Sequence, residues 1–386
     1  MMHYVDGNRG ASADQPASSE IVGNDSQIAD AKKMLPGLAA ISSESNNAQL
    51  GSAQSSTVLK DRFGRIHQSL RISVTDVCNI RCQYCMPAEG AQFLASERLL
   101  SFEQIEEFVR VAVSFGIRRI RLTGGEPLSR PNLHQLVAKL SAIDGVDDLA
   151  LTTNGTLLAP QLPGLVRAGL RRINLSLDTL SATTFEHISR RKSFQNVLEG
   201  LQAALKCPDV EVKLNTLVLR HLNMCEVIDL VTYAREHQVD IRFIEFMPLD
   251  ASRQWQNSSV VTGHELREII SRRFGPLNRL VDQRSSQPSA DYELSDGSLK
   301  IGFIDSVSQP FCGACDRLRL TADGQLQNCL FGTEHWPVVQ LLQTLPPDRE
   351  SIGALLQACV SAKHPAHGIS DPQFVAPPRA MYQIGG

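Results

Sequence analysis

Cys78, Cys82 and Cys85 place three thiols within eight residues of a 386-residue chain. A loop that short wraps around one small object, and thiolates grouped in this way hold iron–sulfur clusters. The usual cluster takes four cysteines, so three leave one iron without a protein ligand and open to chemistry. A structural zinc site is the competing explanation, but such sites close with four ligands and no neighbouring residue supplies an obvious fourth. A second group, Cys312, Cys315 and, after thirteen further residues, Cys329, also offers three ligands. Taken alone it fits zinc with an unrecognised fourth ligand as well as it fits a second cluster. Cys207, Cys225 and Cys359 stand apart, and an isolated cysteine is ordinarily a small buried hydrophobe.

Such groups need a frame. From about Leu70, short β-branched runs alternate with longer helix-like stretches, the pattern of repeated βα units. Six strands are expected: Leu70 to Val74, Arg118 to Leu122, Leu149 to Thr153, Arg172 to Leu177, Val210 to Leu219 and Asp240 to Phe246. Between the first two, Ser101 and Gln104 have capping-box spacing, Phe102, Ile105, Val109 and Ala112 form a stripe, and Gly116 ends the helix. Parallel strands need such crossovers. The fold class is therefore α/β, an incomplete (β/α)6 barrel of the TIM type. Chemistry in such barrels gathers at the C-terminal ends of the strands, where Cys78, Gly124-Gly125-Glu126-Pro127, Asn154, Ser176, Asp178 and Met247 all fall.

The chain before about residue 60 is rich in Ser, Ala, Asn, Gln and Asp and is expected to be disordered, with one short helix near Ala29 to Leu38. Its acidic residues argue against a transit peptide. Beyond about Asp250 the alternation stops. A helix over Gly263 to Phe274 leads to polar, turn-rich sequence, then to a hairpin of Leu318 to Leu320 and Gln325 to Cys329 joined through Asp323-Gly324. Residues 1–60, 61–250 and 251–386 are thus expected as extension, partial barrel and C-terminal region. A net charge of −3 gives no sequence-wide basic field for nucleic acid, and no apolar run approaches the ~20 residues that cross a bilayer. A cytoplasmic protein without nucleic-acid or membrane partners is expected.

The Cys78-x3-Cys82-x2-Cys85 spacing resembles the signature of the radical S-adenosylmethionine (SAM) superfamily, and Gly124-Gly125-Glu126-Pro127 resembles its glycine-rich second motif. The resemblance implies a [4Fe–4S] cluster whose open iron chelates SAM, and an injected electron that splits SAM to a 5′-deoxyadenosyl radical. The cofactor then carries the hard step, with no catalytic side chain beyond the clusters and SAM.

Within that superfamily, residues from about Arg71 onward resemble the GTP 3′,8-cyclase family. The matching segments are Leu151-Thr152-Thr153-Asn154-Gly155, Asn174-Leu175-Ser176-Leu177-Asp178, Arg242-Phe243-Ile244-Glu245-Phe246-Met247, Phe311-Cys312, Arg317-Leu318-Arg319-Leu320 and the terminal Gly385-Gly386. The resemblance implies a second [4Fe–4S] cluster on Cys312, Cys315 and Cys329 that holds the guanine of GTP, and so a C-terminal iron–sulfur extension. It places Tyr84, Gly125, Ser176 and Met247 against SAM, and Arg71, Arg121, Thr152, Lys213, Arg317 and Arg319 against GTP; Arg242 is left unassigned. The implied partners are GTP, an electron donor and, by pathway, cyclic pyranopterin monophosphate synthase, with the oligomeric state open to a homodimer.

The implied reaction removes the ribose C3′ hydrogen of GTP and joins C3′ to C8, the first step of molybdopterin biosynthesis. Competing explanations are a radical SAM enzyme acting on a peptide, a two-cluster electron carrier and a zinc-stabilised binding protein. The electron carrier would want fully ligated clusters and has no use for the Gly-Gly-Glu-Pro loop.

Overall fold

Alternating strands and helices begin at β1 (Ser69–Ser73) and continue through β2 (Arg119–Thr123), β3 (Asp148–Thr153), β4 (Arg172–Ser176), β5 (Glu211–Val218) and β6 (Asp240–Glu245). The computed structural model describes residues 58–281, 286–343, 347–369, 371 and 373–385. The expected N-terminal disorder and the short helix near Ala29 to Leu38 lie outside the described residues. The six strands pair in sequence order, all parallel.

The crossovers are α1 (Phe102–Ser114), α2 (Leu133–Ser141), α3 (Leu158–Arg167), then α4 (Ala182–Ser189) with α5 (Phe194–Leu205), and α6 (Val227–Glu236). α1 shows how local sequence sets its element. Ser101 Oγ accepts the Gln104 N–H and the Gln104 side chain accepts the Ser101 N–H, which satisfies donors that a helix start leaves free. Gly116 stops the helix at φ 98°, in the left-handed region open to glycine. Between these ends, Ile105, Phe108, Val109 and Ala112 are buried against the sheet.

The parallel run does not stop at six strands. After α7 (Gly263–Phe274), β7 (Leu277–Arg279), β8 (Ala290–Leu294) and β9 (Lys300–Ile304) form a meander whose last strand lies parallel to β6. At the other edge β10 (Arg317–Leu320) lies parallel to β1, and β11 (Gln325–Gln327) and β12 (Trp336–Pro337) continue antiparallel from it. The chain then forms α8 (Arg349–Ser361) and a short α9 (Met381–Ile384). Thus β10 carries the expected hairpin, and its position beside β1 brings the second cysteine group to the barrel mouth. The core between sheet and helices is aliphatic, with Phe108, Phe243 and Phe303 its largest fully buried side chains. Among the described residues no helix is long and apolar enough to cross a membrane.

Candidate functional site

A cavity of about 450 Å³ opens at the C-terminal ends of the parallel strands, and all sixteen residues singled out from the sequence line it. Cys78, Cys82, Cys85 and Tyr84 come from the loop after β1, Gly125 from the loop after β2, Thr152 from β3, Ser176 from the end of β4, and Met247 from just beyond β6. Arg71, Arg121 and Lys213 project from β1, β2 and β5. Cys312, Cys315 and Cys329 flank the hairpin that bears Arg317 and Arg319.

The first cysteine loop is held by backbone from three directions. The Cys85 and Met86 N–H groups both donate to the Cys82 carbonyl at 2.9 Å, curling the loop on itself. The Arg81 and Gln83 N–H groups donate to the carbonyls of Ser189 and Ile188 at the end of α4. Arg190, at φ 55°, turns its guanidinium back onto the carbonyls of Arg81 and Met86, each at 3.0 Å. On the third side, Gly125 N–H donates to Thr75 O and Glu126 N–H to Val77 O, both at 2.8 Å. A Cβ on Gly125 would sit 2.5 Å from Asp76 O, and one on Gly124 would strike Thr75 O. These glycines therefore let the second motif lie directly on the strand end that leads into Cys78.

Glu126 and Asp178, placed at strand ends from the sequence but assigned no contact there, also line the cavity. The buried Glu126 carboxylate accepts from Leu128 N–H at 3.0 Å, Thr153 Oγ1 at 2.7 Å and Asn154 N–H at 2.7 Å, tying the ends of β2 and β3 together. Burial pushes it up to about 7 against the pull of those donors. Asn154 in turn reaches Cys78 Sγ at 3.8 Å through Nδ2. Asp178 takes the Tyr84 hydroxyl at 2.6 Å and the Leu217 N–H at 2.9 Å, and burial lifts it to about 6.

Burial pushes the Cys78 thiol up to about 11, Cys85 to about 12, and Cys82 well above its ordinary value. Three thiolates packed together are costly unless a cationic centre offsets them, so the donor set fits a cluster. Among the described residues no three His, Cys, Asp or Glu side chains gather as ligands of a single ion do. The ligands of a four-iron cluster attach at separate corners and need no such convergence. At the second group, burial is the largest influence on Cys315 and pushes it up, but Arg317 and Lys363 outweigh it and bring the thiol down to about 7.

The wall between the two cysteine groups is basic. Arg319, Arg71 and Arg121 are register partners across β10, β1 and β2. Nearby carboxylates are taken by other cations: Asp316 by Arg119 at 2.6 Å, Asp148 by Arg172, and Asp240 by Lys213 at 3.0 Å. Among the described residues no carboxylate pairs with Arg71, Arg121, Arg317 or Arg319. Burial and the surrounding guanidiniums pull Arg71 well below its ordinary value and Arg121 and Arg319 to about 10. Arg317 lies over the Phe311 ring, 4.5 Å from its centroid, with Nε and Nη2 buried and unpartnered. Lys213, by contrast, is already engaged by Glu211 and Asp240. The chain end enters the same cavity: Tyr382 packs on the first cysteine loop and Gly385 O accepts from Arg319 Nη1.

Arg119, Arg172 and Arg242 also line the cavity. Arg119 and Arg242 lie two residues from other lining positions, at 121 and 244, and Arg172 lies four from Ser176, so strand alternation was the signal that could have found them.

Fold and site together define a radical SAM protein, a class built around S-adenosylmethionine and a [4Fe–4S] cluster. The family model of the Radical SAM superfamily matches residues 72–234, and the model described as Molybdenum Cofactor Synthesis C matches residues 239–369. The chain is 46% identical over 331 residues to the GTP 3′,8-cyclase of Rhodopirellula baltica, covering 85% of this chain and 92% of that one. It is 42% identical over 336 residues to the GTP 3′,8-cyclase of Streptomyces coelicolor, covering 87% and 98%. The chain belongs to the GTP 3′,8-cyclase family. The crystal structure of Streptococcus suis SuiB bound to S-adenosylmethionine shares the fold, with a TM-score of 0.52 at 13% identity over 83% of this chain and 75% of that one.

Proposed function

We propose that the protein is a GTP 3′,8-cyclase that converts GTP to (8S)-3′,8-cyclo-7,8-dihydroguanosine 5′-triphosphate by C3′–C8 bond formation. The observation that carries this reading is the row of unpaired arginines lying between two three-cysteine groups on one cavity wall. Cys78, Cys82 and Cys85 would hold a [4Fe–4S] cluster, which would supply the one-electron reductive cleavage of SAM that hydrogen abstraction requires.

The chain's own residues orient and shield. Tyr84, Gly125, Ser176 and Met247 form the SAM wall; Ser176 has as its register partner Asn215, whose Oδ1 is buried without a partner. Arg71 and Arg121 meet the triphosphate, where an anion would relieve their mutual repulsion. Lys213 contributes by exchanging its carboxylate partners for phosphate. Arg317, Arg319 and Thr152 would hold the nucleoside beside a second cluster, for which Cys312, Cys315 and Cys329 would be the ligands and whose unligated iron would offer a site for the guanine. Fixing ribose C3′ near the radical source is the main contribution of the protein to rate.

A one-electron donor, cytoplasmic residence, a homodimer and hand-over to a cyclic pyranopterin monophosphate synthase complete the proposal. The test is anaerobic incubation of the reconstituted protein with SAM, a reductant and GTP, followed by product analysis. The cyclised nucleotide is expected, and Cys315→Ala should keep SAM cleavage while abolishing cyclisation. Normal cyclisation by Cys315→Ala would refute the assignment of the second site.

A further inference from the structure

Behind the second cysteine group, outside the cavity, lies a buried polar cluster that the mechanism above does not use. Arg65 Nε pairs with Asp61 Oδ2 at 2.5 Å, both side chains nearly inaccessible. The rest of the guanidinium goes to backbone: Nη1 donates to the Cys312 carbonyl at 2.7 Å and to Pro365 O at 3.2 Å, and Nη2 donates to His364 O at 2.7 Å. Lys363, 3% exposed, donates its ammonium to Arg317 O at 2.9 Å and to Asn328 O. Asn328 immediately precedes Cys329, and its own amide donates to Cys359 O on α8 at 3.0 Å.

The acceptors explain why these cations are buried. The β10–β11 ladder fixes Arg319 against Gln327, but Cys312 lies before β10, on a short 3-10 turn outside the ladder. Arg65, from a segment 247 residues away, ties its carbonyl down. Lys363 ties residue 317 to residue 328, and its neighbour His364 is the acceptor of Arg65, so one dipeptide joins both cations. Asp61 already offsets the charge of Arg65, whereas Lys363 meets only carbonyl oxygens, and a thiolate-ligated cluster in front of it would offset the cost of burying its charge.

Resting on the reading of Cys312, Cys315 and Cys329 as a cluster site, we propose that Arg65 and Lys363 are positioning residues for it. They fix the backbone of all three cysteine segments and so the direction of their thiols. Partners that orient ligands in this way set how firmly a metal centre is held.

The full-length chain would be reconstituted anaerobically as Lys363→Met and as Arg65→Lys, the milder change, which keeps the charge but loses the fork. Each would be made in a Cys82→Ala background, where only the second site loads, and in a Cys315→Ala background, where only the first does. Iron release to a chelator and the cluster's electron paramagnetic resonance are the readouts. Release from the second site is expected to accelerate about 10- to 100-fold with an altered resonance, and release from the first site to stay unchanged. Lys363→Arg should recover most of the retention. Unchanged release from the second site, or equal acceleration at both, overturns the proposal. A Cys315→Ala chain with undiminished iron overturns the cluster reading itself, a result distinguishable from the other two.

Discussion

Arg71 on β1 is the register partner of Arg121 on β2, so two guanidiniums lie side by side on the cavity wall. Burial and the neighbouring guanidiniums pull Arg71 well below its ordinary value, and in the proposed function an anion across the pair relieves that repulsion.

Replacing Arg121 or Arg71 by Met should therefore weaken GTP binding roughly 10- to 100-fold, the worth of a charge-assisted hydrogen bond of about 1.5–3 kcal/mol. The same change should raise the melting temperature of the ligand-free protein, because a buried like charge has gone. Calorimetric titration with GTP and a thermal melt check both. Tighter GTP binding together with a lower melting temperature would reverse the argument.

Gly124→Ala should displace the strand end at Thr75, since the new methyl would strike the Thr75 carbonyl. Crowding of this kind costs about 1–3 kcal/mol. The strand end leads straight into Cys78, so iron at the first site and SAM cleavage should both fall, with the second site's iron unaffected. Full iron and full SAM cleavage in this variant would show that the loop yields freely.

His67 gives stability a pH dependence. It is fully buried, and burial, aided by Lys363, pulls it from 6.5 to about 4 despite the attraction of Asp61. Between those values the unfolded chain takes up a proton that the native chain refuses, so the contribution is complete above 6.5 and is lost as pH falls toward 4. The loss is on the order of 3 kcal/mol. In urea unfolding of the metal-free protein, the stability advantage of the parent over His67→Gln should shrink from pH 7 to pH 5. A pH-independent difference would rule this out.

Ser101→Ala removes one half of the capping box of α1 and should cost about 1 kcal/mol with no effect on either site. A denaturant melt alongside an iron assay tests this.

The six barrel strands and α1 were legible in the sequence because period-2 and period-3.6 patterns are local, and Ser101 with Gln104 is a local signal. β10 was recognisable only as one arm of a C-terminal hairpin, and β9 was not foreseen. Their places beside β6 and β1 depend on partners far away in sequence, which no window of residues contains. The candidate site was legible where chemistry demands rare types, as with six grouped cysteines. Glu126 was legible as a motif residue, but its role in tying two strand ends was not, because its partners Thr153 and Asn154 come from another strand end. The ties of Arg65 and Lys363 to the second cysteine group were opaque for a similar reason, since the acceptors there are backbone carbonyls and carry no residue-type signature. Gly125 was expected to face the cofactor; its missing side chain also leaves room for the backbone of residues 76 and 77.

The parallel pairing of β1 with β10 has a consequence for how the molecule is made. Ser69 and Asp316, whose side chains meet at 2.8 Å, are 247 residues apart. Closing so long a loop adds little to the equilibrium cost, which grows only with the logarithm of length, but it slows folding. On the ribosome, β1 therefore waits with one edge unpaired until nearly the whole chain has emerged. The hairpin that covers this edge is the segment flanked by Cys312, Cys315 and Cys329, so the second cysteine group takes its place beside β1 only after β10 has been made, later than the first.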